Sequence, residues 1–261
     1  MPQTIDRPQL KREVRTLLSG AWVNPKGMTV FYLMLLLALN MVDTLASNLL
    51  ASGAIPTFIS ILTSWMSVIL TVGFMLYCMA ICRRQRAEYL TLFDGFSFVG
   101  KIICLEILTY FFIYLWSMLF LIPGIIAAYR YRFALFNLCE NPGISVMEAL
   151  NLSKRQTLGY KGQLFLLDVS YLGWILLSQL PLLVEYGLLA PQMFSTYSAL
   201  LTGAPVPDLS SPYLPAWGWL LVTGLWEVVV SAFFLPERTC MEWEYFETAK
   251  ETLRDTQFPP L

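Results

Sequence analysis

Histidine is absent from all 261 residues of the chain. Its absence removes the commonest general base of enzymes and the commonest metal ligand. No serine or cysteine can therefore be activated by a neighbouring imidazole. The sequence accordingly predicts no catalytic residue, no metal site and no cofactor, and we expect a protein that is not an enzyme.

Charge is also scarce. Charged residues make up 13% of the chain and hydrophobic residues 57%, whereas soluble domains carry about 25% charged residues. The net charge of −1 excludes the strongly basic domain expected of a nucleic-acid-binding protein. The five cysteines are an odd number without regular spacing, so no disulfide scaffold is predicted.

Long apolar runs are what the sequence has instead of charge. A helix crosses a bilayer with about 20 residues, and five runs reach that length. A sixth and shorter run begins after a Pro-Gly pair and carries Arg130 and Arg132. The predicted spans are residues 28–50, 55–81, 102–122, 124–139, 163–190 and 216–235. The expected fold is an all-α, polytopic membrane protein with six transmembrane helices and amphipathic interfacial helices.

The distribution of Lys and Arg favours six spans over five. Basic residues concentrate in short loops on the cytoplasmic side of a membrane. With residues 124–139 counted as a span, every Lys and Arg except Arg130 and Arg132 falls on the amino-terminal side of the membrane, and the predicted external loop 191–215 has none. We therefore predict a multi-pass protein of a bacterial plasma membrane with both termini in the cytoplasm.

Three segments outside the spans have helical character. Residues 1–25 contain a basic amphipathic helix that Gly20 should end, and residues 237–261 form an acidic helical tail. A second amphipathic helix is predicted at residues 146–158, because Ser145 and Glu148 form a capping box before it. A basic amphipathic helix beside a span most often lies on anionic lipid headgroups.

The two arginines of the fourth predicted span require partners, because a charge within a bilayer normally faces the bundle interior and pairs with another group. Counting 1.5 Å of rise per residue, Glu227 lies nearest to them in depth, and Asp168 is the second choice. Glu106 is a further carboxylate on the same side. The candidate buried polar site is Arg130, Arg132, Glu227, Asp168 and Glu106.

Two interpretations of this site stay open. The pair could hold the helices in register, with the arginines snorkelling toward water, or it could form a polar pathway for a solute, a proton or a lipid headgroup. A membrane-embedded lipid enzyme is a third alternative. It would require two of Asp94, Glu106 and Asp168 in one cleft.

Several motifs occur in an order that resembles a known family. They are LFDGF at residues 92–96, IPGIIAAYRYRFALF at residues 122–136, NPGISVMEALNLSKRQTLGYKGQLF at residues 141–165 and YLGW at residues 171–174. This pattern resembles the bacterial membrane-protein family catalogued as domain of unknown function 975, over about residues 10 to 180. The family is uncharacterised, so the resemblance implies a membrane protein and no site residues.

The absence of enzyme signatures favours a non-catalytic accessory or scaffold for lipid handling or for a membrane complex. The expected partners are membrane lipids and another membrane protein or a second copy of the chain. The alternative is a small permease or channel that uses Arg130 or Arg132 with Glu227 or Asp168.

Overall fold

The computed structural model describes residues 5–50, 53–203 and 216–257, and this part of the chain is helical without strands. A 3₁₀ segment, Tyr89–Phe98, lies between the third and fourth α-helices. The α-helices are α1 Arg7–Ser19, α2 Pro25–Leu49, α3 Ala54–Cys82, α4 Val99–Leu119, α5 Leu121–Tyr131, α6 Ala134–Glu140, α7 Val146–Gln156, α8 Lys161–Ser178, α9 Leu180–Thr202 and α10 Ala216–Gln257.

In the described residues, four helical segments are long and apolar enough to cross a membrane. They are Pro25–Leu49, Ala54–Cys82, Tyr89–Leu119 and Trp217–Asp255. Helices α8 and α9 become a fifth if they count together as one span, and they are bent by 59° where they meet. The prediction of an all-helical protein with several spans is confirmed, while the count of six is not.

The predicted fourth span, residues 124–139, is not one straight helix. The chain leaves α4 at Phe120, where the backbone is extended, and α5 starts at the next residue. Pro123 lies in the first turn of α5, where its missing N–H breaks no helical hydrogen bond. A Cβ atom on Gly124 would lie 2.0 Å from Ser117 Oγ, so glycine permits α5 to fold back against α4. Helix α5 then stops after Tyr131, and α6 begins at Ala134.

The carboxyl-terminal span and the predicted acidic tail form one helix. Helix α10 runs for 42 residues with Pro236 inside it. The predicted external loop 191–215 also differs in part, because α9 continues to Thr202. Residues 204–215, and residues 258–261 of the predicted tail, lie outside the described part of the chain.

One end of the molecule is built from α1, α6, α7 and residues 237–257 of α10, and we call it the polar end. Its core is aromatic: Phe136 stacks on Phe246 with ring centroids 5.5 Å apart, and Trp243 lies 5.0 Å from Phe246. Phe133 joins them from the link between α5 and α6. The predicted amphipathic helices are both present here, and Ser145 caps α7 by accepting a hydrogen bond from the Glu148 N–H, 3.2 Å away.

Candidate functional site

The polar end contains a network of ion pairs centred on Arg132. This residue follows α5 directly, and its guanidinium lies between two carboxylates. Its Nη1 and Nη2 atoms donate to Asp168 of α8 at 2.5 and 3.0 Å, while Nε and Nη2 donate to Glu242 of α10 at 2.6 and 3.1 Å. The side chains of Arg132, Asp168 and Glu242 are only 16, 21 and 15% exposed, respectively. Such bidentate pairs match the planar geometry of guanidinium and carboxylate.

Two further donors complete the surroundings of Asp168. Arg238 Nη2 donates to Asp168 Oδ1 at 2.9 Å, and the Tyr129 hydroxyl donates to Oδ2 at 2.9 Å. Three elements, α5, α8 and α10, therefore meet at one carboxylate. The network holds two positive and two negative side chains, so its charges balance.

The predicted pairing with Glu227 was wrong, and Asp168, the second choice, is the partner of Arg132. Glu227 and Glu242 are both on α10 and 15 residues apart, which is about 22 Å along a helix. The depth estimate failed because it treated residues 124–139 as one straight crossing. The break after Tyr131 brings Arg132 to the polar end, beyond the predicted span 216–235.

A second cluster is centred on Glu237, which joins α1 to α8 and α10. It accepts hydrogen bonds from Arg15 Nε at 2.8 Å and from the Tyr171 hydroxyl at 2.8 Å. Lys11 Nζ lies 3.1 Å from its Oε1 atom. The hydrogen bond and charge of Glu237 raise the pKa of Arg15 above its ordinary value. The amino-terminal helix is thus held to the bundle by its basic face, and Val14 between these cations is fully buried.

A third cluster is centred on Glu140 at the end of α6, which pairs with cations at the end of α3 and in α10. Arg83 Nη2 lies 2.7 Å from it and Lys250 Nζ lies 2.5 Å from it. Glu247 contributes to the same cluster. Like the first two clusters, this one joins helices that are far apart in sequence.

The break between α5 and α6 is stabilised by Ser153 of α7. Its hydroxyl donates to the Arg130 carbonyl at 2.9 Å and accepts from the Phe133 N–H at 3.1 Å. Asn137 and Gln156 join α6 to α7 through two amide hydrogen bonds of 2.8 and 2.9 Å. Backbone groups that the helical ladder leaves unpaired are therefore satisfied, as buried groups must be.

The remaining predicted site residues lie apart from this network. Arg130 projects away from Arg132 and lines a surface cavity with Lys154, Arg155 and Lys161. Glu106 lines a cavity between α3 and α4, and Glu227 lines another between α2 and α10. Among the described residues, neither of these two carboxylates forms an ion pair or a hydrogen bond. Of the three carboxylates named for a lipid enzyme, Glu106 lines the cavity between α3 and α4, whose lining includes neither Asp94 nor Asp168, and Asp168 is paired with Arg132 and Arg238.

Sequence reasoning missed Tyr129, Glu237, Arg238 and Glu242. The last three lie in α10 after the predicted span, where they were taken for part of a soluble tail. A signal was present in their spacing: Arg238 and Glu242 are four residues apart and lie on one helix face. That face turns toward Asp168 and Arg132 because α10 continues past Pro236.

Several of the quoted motif residues pack one element of this fold against another. Leu92 of LFDGF is fully buried against α3, and Gly95 lies where a Cβ atom would be 3.0 Å from the Ile69 carbonyl oxygen. Tyr171 of YLGW hydrogen-bonds Glu237, and Trp174 stacks on Phe234. These residues pack helices and the 3₁₀ segment together.

The comparisons with known proteins identify one family. A model of the family described as "Protein of unknown function (DUF975)" matches residues 1–134 and again residues 118–252, and the two matches share residues 118–134. No curated protein and no solved structure matches the chain.

Proposed function

The chain belongs to the family described as Protein of unknown function (DUF975), and we propose that it is a non-catalytic accessory or scaffold in a membrane, acting in lipid handling or within a membrane complex. Its apolar helices fit a membrane protein. We further propose that this membrane is a bacterial plasma membrane and that the polar end, with α1 and the end of α10, faces the cytoplasm. The concentration of Lys and Arg at this end supports that orientation.

The observation that carries the proposal is the pairing of four carboxylates at the polar end with cations of other helices. Asp168, Glu237, Glu242 and Glu140 each accept from at least one cation of another helix. A proton relay or a general base needs a carboxylate that can exchange its partner for a substrate. Groups that are already paired and largely buried act instead as fixed joints between helices.

The carboxylates on the spanning helices support a partner. Glu106 and Glu227 lie on α4 and α10, and neither finds a cation within the described residues. A carboxylate in a spanning segment normally pairs with another group. We infer that a second membrane protein, or a second copy of this chain, supplies the missing donors.

The small permease or channel remains the second candidate, and one observation favours it. Glu227, Asn40 and Thr223 line a cavity of about 180 Å³ between α2 and α10, which makes a polar site within the bundle. Arg132 and Asp168 do not add to this site because they are paired at the polar end. Solute uptake by liposomes that contain the purified protein would distinguish this candidate from a scaffold.

The test is crosslinking in native membranes followed by purification through a tag on the carboxyl terminus. We expect one stoichiometric crosslinked product, either with a single partner or with a second copy of the chain. Glu227→Gln should reduce its yield several-fold, because the missing donor then loses its charged acceptor. Glu251→Gln, at an exposed position near the end of α10, is the control and should leave the yield unchanged.

Recovery of the protein alone, or equal yields from Glu227→Gln and the wild type, would overturn the role assigned to Glu227. Solute flux without any crosslinked product would favour the permease.

A further inference from the structure

Four cations line one surface cavity of about 630 Å³ next to the polar end. Arg130 comes from the last turn of α5, Lys154 and Arg155 from α7, and Lys161 is the first residue of α8. The other lining residues are Asn151 and Leu158, and no carboxylate is among them. The cavity therefore concentrates four positive charges without compensation.

These cations differ from the basic residues of the three ion-pair clusters. Arg132, Arg15, Arg83 and Lys250 each form an ion pair. Within the described part of the chain, none of the four cavity cations does so. Like charges held close together repel, so their convergence is costly unless an anion offsets it.

The cavity is held by hydrogen bonds in the backbone beneath it. The Arg130 carbonyl accepts from Ser153 Oγ at 2.9 Å and from Thr157 Oγ1 at 3.3 Å, which fixes α7 against the end of α5. Lys154 Nζ lies 3.2 Å from Asn151 Oδ1 and 5.7 Å from the centroid of the Tyr131 ring. The Lys154 ammonium and the backbone of Arg130 are thus positioned before any ligand arrives, which lowers the cost of binding.

The surface beside the cavity is apolar. Ile126 lies one turn before Arg130 on the same face of α5, and Phe165 lies one turn after Lys161 on the same face of α8. Ile126 is 48% exposed and Phe165 is 52% exposed, and Leu158 at the cavity itself is 67% exposed. A molecule with an anionic head in the cavity would meet hydrocarbon directly beside it.

We propose that this cavity binds the phosphate group of an anionic phospholipid, with the acyl chains lying along the exposed faces of α5 and α8. Basic pockets between helices at a membrane surface bind such headgroups, and Arg and Lys make their strongest hydrogen bonds to phosphate oxygens. A volume of about 630 Å³ lies within the usual range for sites that hold small molecules. Free phosphate esters share the phosphate chemistry, but the apolar flanks give them no contact.

This site goes beyond the scaffold proposal and is separate from Glu227, so either proposal can fail while the other stands. The experiment uses the full-length protein in a neutral detergent and three probes: dioctanoyl phosphatidylglycerol, dioctanoyl phosphatidylcholine and glycerol 3-phosphate. Binding is measured from the rise in thermal unfolding temperature with probe concentration. We expect tighter binding of phosphatidylglycerol than of either other probe.

Two double variants locate the binding. Arg155→Gln with Lys161→Gln removes two cavity cations and should weaken phosphatidylglycerol binding roughly tenfold or more. Arg12→Gln with Arg254→Gln removes the same charge from exposed positions that do not line the cavity, and should change binding less than twofold. If the first double variant does not fold, Asn151→Asp serves instead, since it adds a negative charge inside the cavity and should weaken binding in the same way.

Equal weakening by both double variants would overturn the site, because general surface charge would then explain the binding. Equal affinity for phosphatidylcholine would overturn the preference for an anionic lipid. If glycerol 3-phosphate bound as tightly as phosphatidylglycerol, the acyl chains would contribute nothing, and the proposal that the ligand is a lipid would be overturned.

Discussion

Asp168 is the residue on which most of the polar network depends. It accepts hydrogen bonds from Arg132, Arg238 and Tyr129, which come from two other helices and the link after α5. Breaking a buried pair by removing one partner leaves the other charge buried without compensation, and this costs far more than the pair itself contributes. Removing the Asp168 carboxylate is therefore destabilising mainly because Arg132 and Arg238 each lose a partner for a partly buried charge.

We expect Asp168→Asn to lower the free energy of unfolding by about 3 kcal/mol, the lower end of the range for buried pairs because these side chains keep some exposure to solvent. Thermal unfolding of the purified protein in detergent measures the change. Glu227→Gln is the matched control and should shift stability by less than about 0.5 kcal/mol, since Glu227 has no partner among the described residues. Equal destabilisation by the two variants would contradict the pairing seen here.

At the scale of elements, α3 and the 3₁₀ segment Tyr89–Phe98 approach each other backbone to backbone at Gly73. A Cβ atom on Gly73 would lie 1.8 Å from the Leu92 carbonyl oxygen. Both partners in this contact are backbone, so neither can rotate away as a flexible side chain would. The glycine therefore sets how near the segment carrying the LFDGF motif can approach α3.

We expect Gly73→Ala to destabilise the protein by about 1–3 kcal/mol, because the added methyl group forces the two elements apart. Gly162→Ala in α8 is the control, since nothing lies within 4 Å of its added Cβ atom. That change should be neutral or stabilise by up to about 1 kcal/mol, as alanine restricts the unfolded chain. Chemical denaturation in mixed micelles compares the two, and a harmless Gly73→Ala would show that the contact is not tight.

At the scale of the whole molecule, ion pairs and the aromatic core bring the amino-terminal helix, α7 and the end of α10 to one end. Glu237 holds α1, Asp168 and Glu242 hold Arg132 next to α7, and all three carboxylates lie on α8 or α10. We therefore expect these three segments to lie on one side of the membrane, whatever the number of spans. The distribution of Lys and Arg in the sequence predicts the same arrangement.

We expect Arg12→Cys, Arg155→Cys and Arg254→Cys, each in a background without the native cysteines, to behave alike toward a membrane-impermeant maleimide. In intact cells all three should be protected, and after permeabilisation all three should react. The expected protection of the three cysteines in intact cells follows from the proposed cytoplasmic orientation. Their equal labelling, on whichever side they lie, follows from the fold. Reaction of Arg155→Cys alone would place α7 on the other side and contradict the fold.

The candidate site was partly predictable. Arg132 was singled out because it interrupts an apolar run, and Asp168 was named as the second choice for its partner. The order of the two partners was wrong because depth was counted along a straight helix, while the real chain breaks at residues 132 and 133. Glu242 was missed despite its spacing from Arg238, because its role depends on α10 continuing past a proline that usually ends or kinks a helix.

What the sequence determined by itself was the class of the molecule: helical, apolar, rich in long runs and without the histidine that most catalytic and metal sites employ. Run length and composition act locally, so they can be read from the chain directly. The tertiary structure alone decided which charges meet, that Arg130 turns to a basic cavity while Arg132 turns to Asp168 and Glu242, and that Gly73 receives the backbone of Leu92. These outcomes depend on helix breaks and on contacts between distant segments, which no local pattern contains.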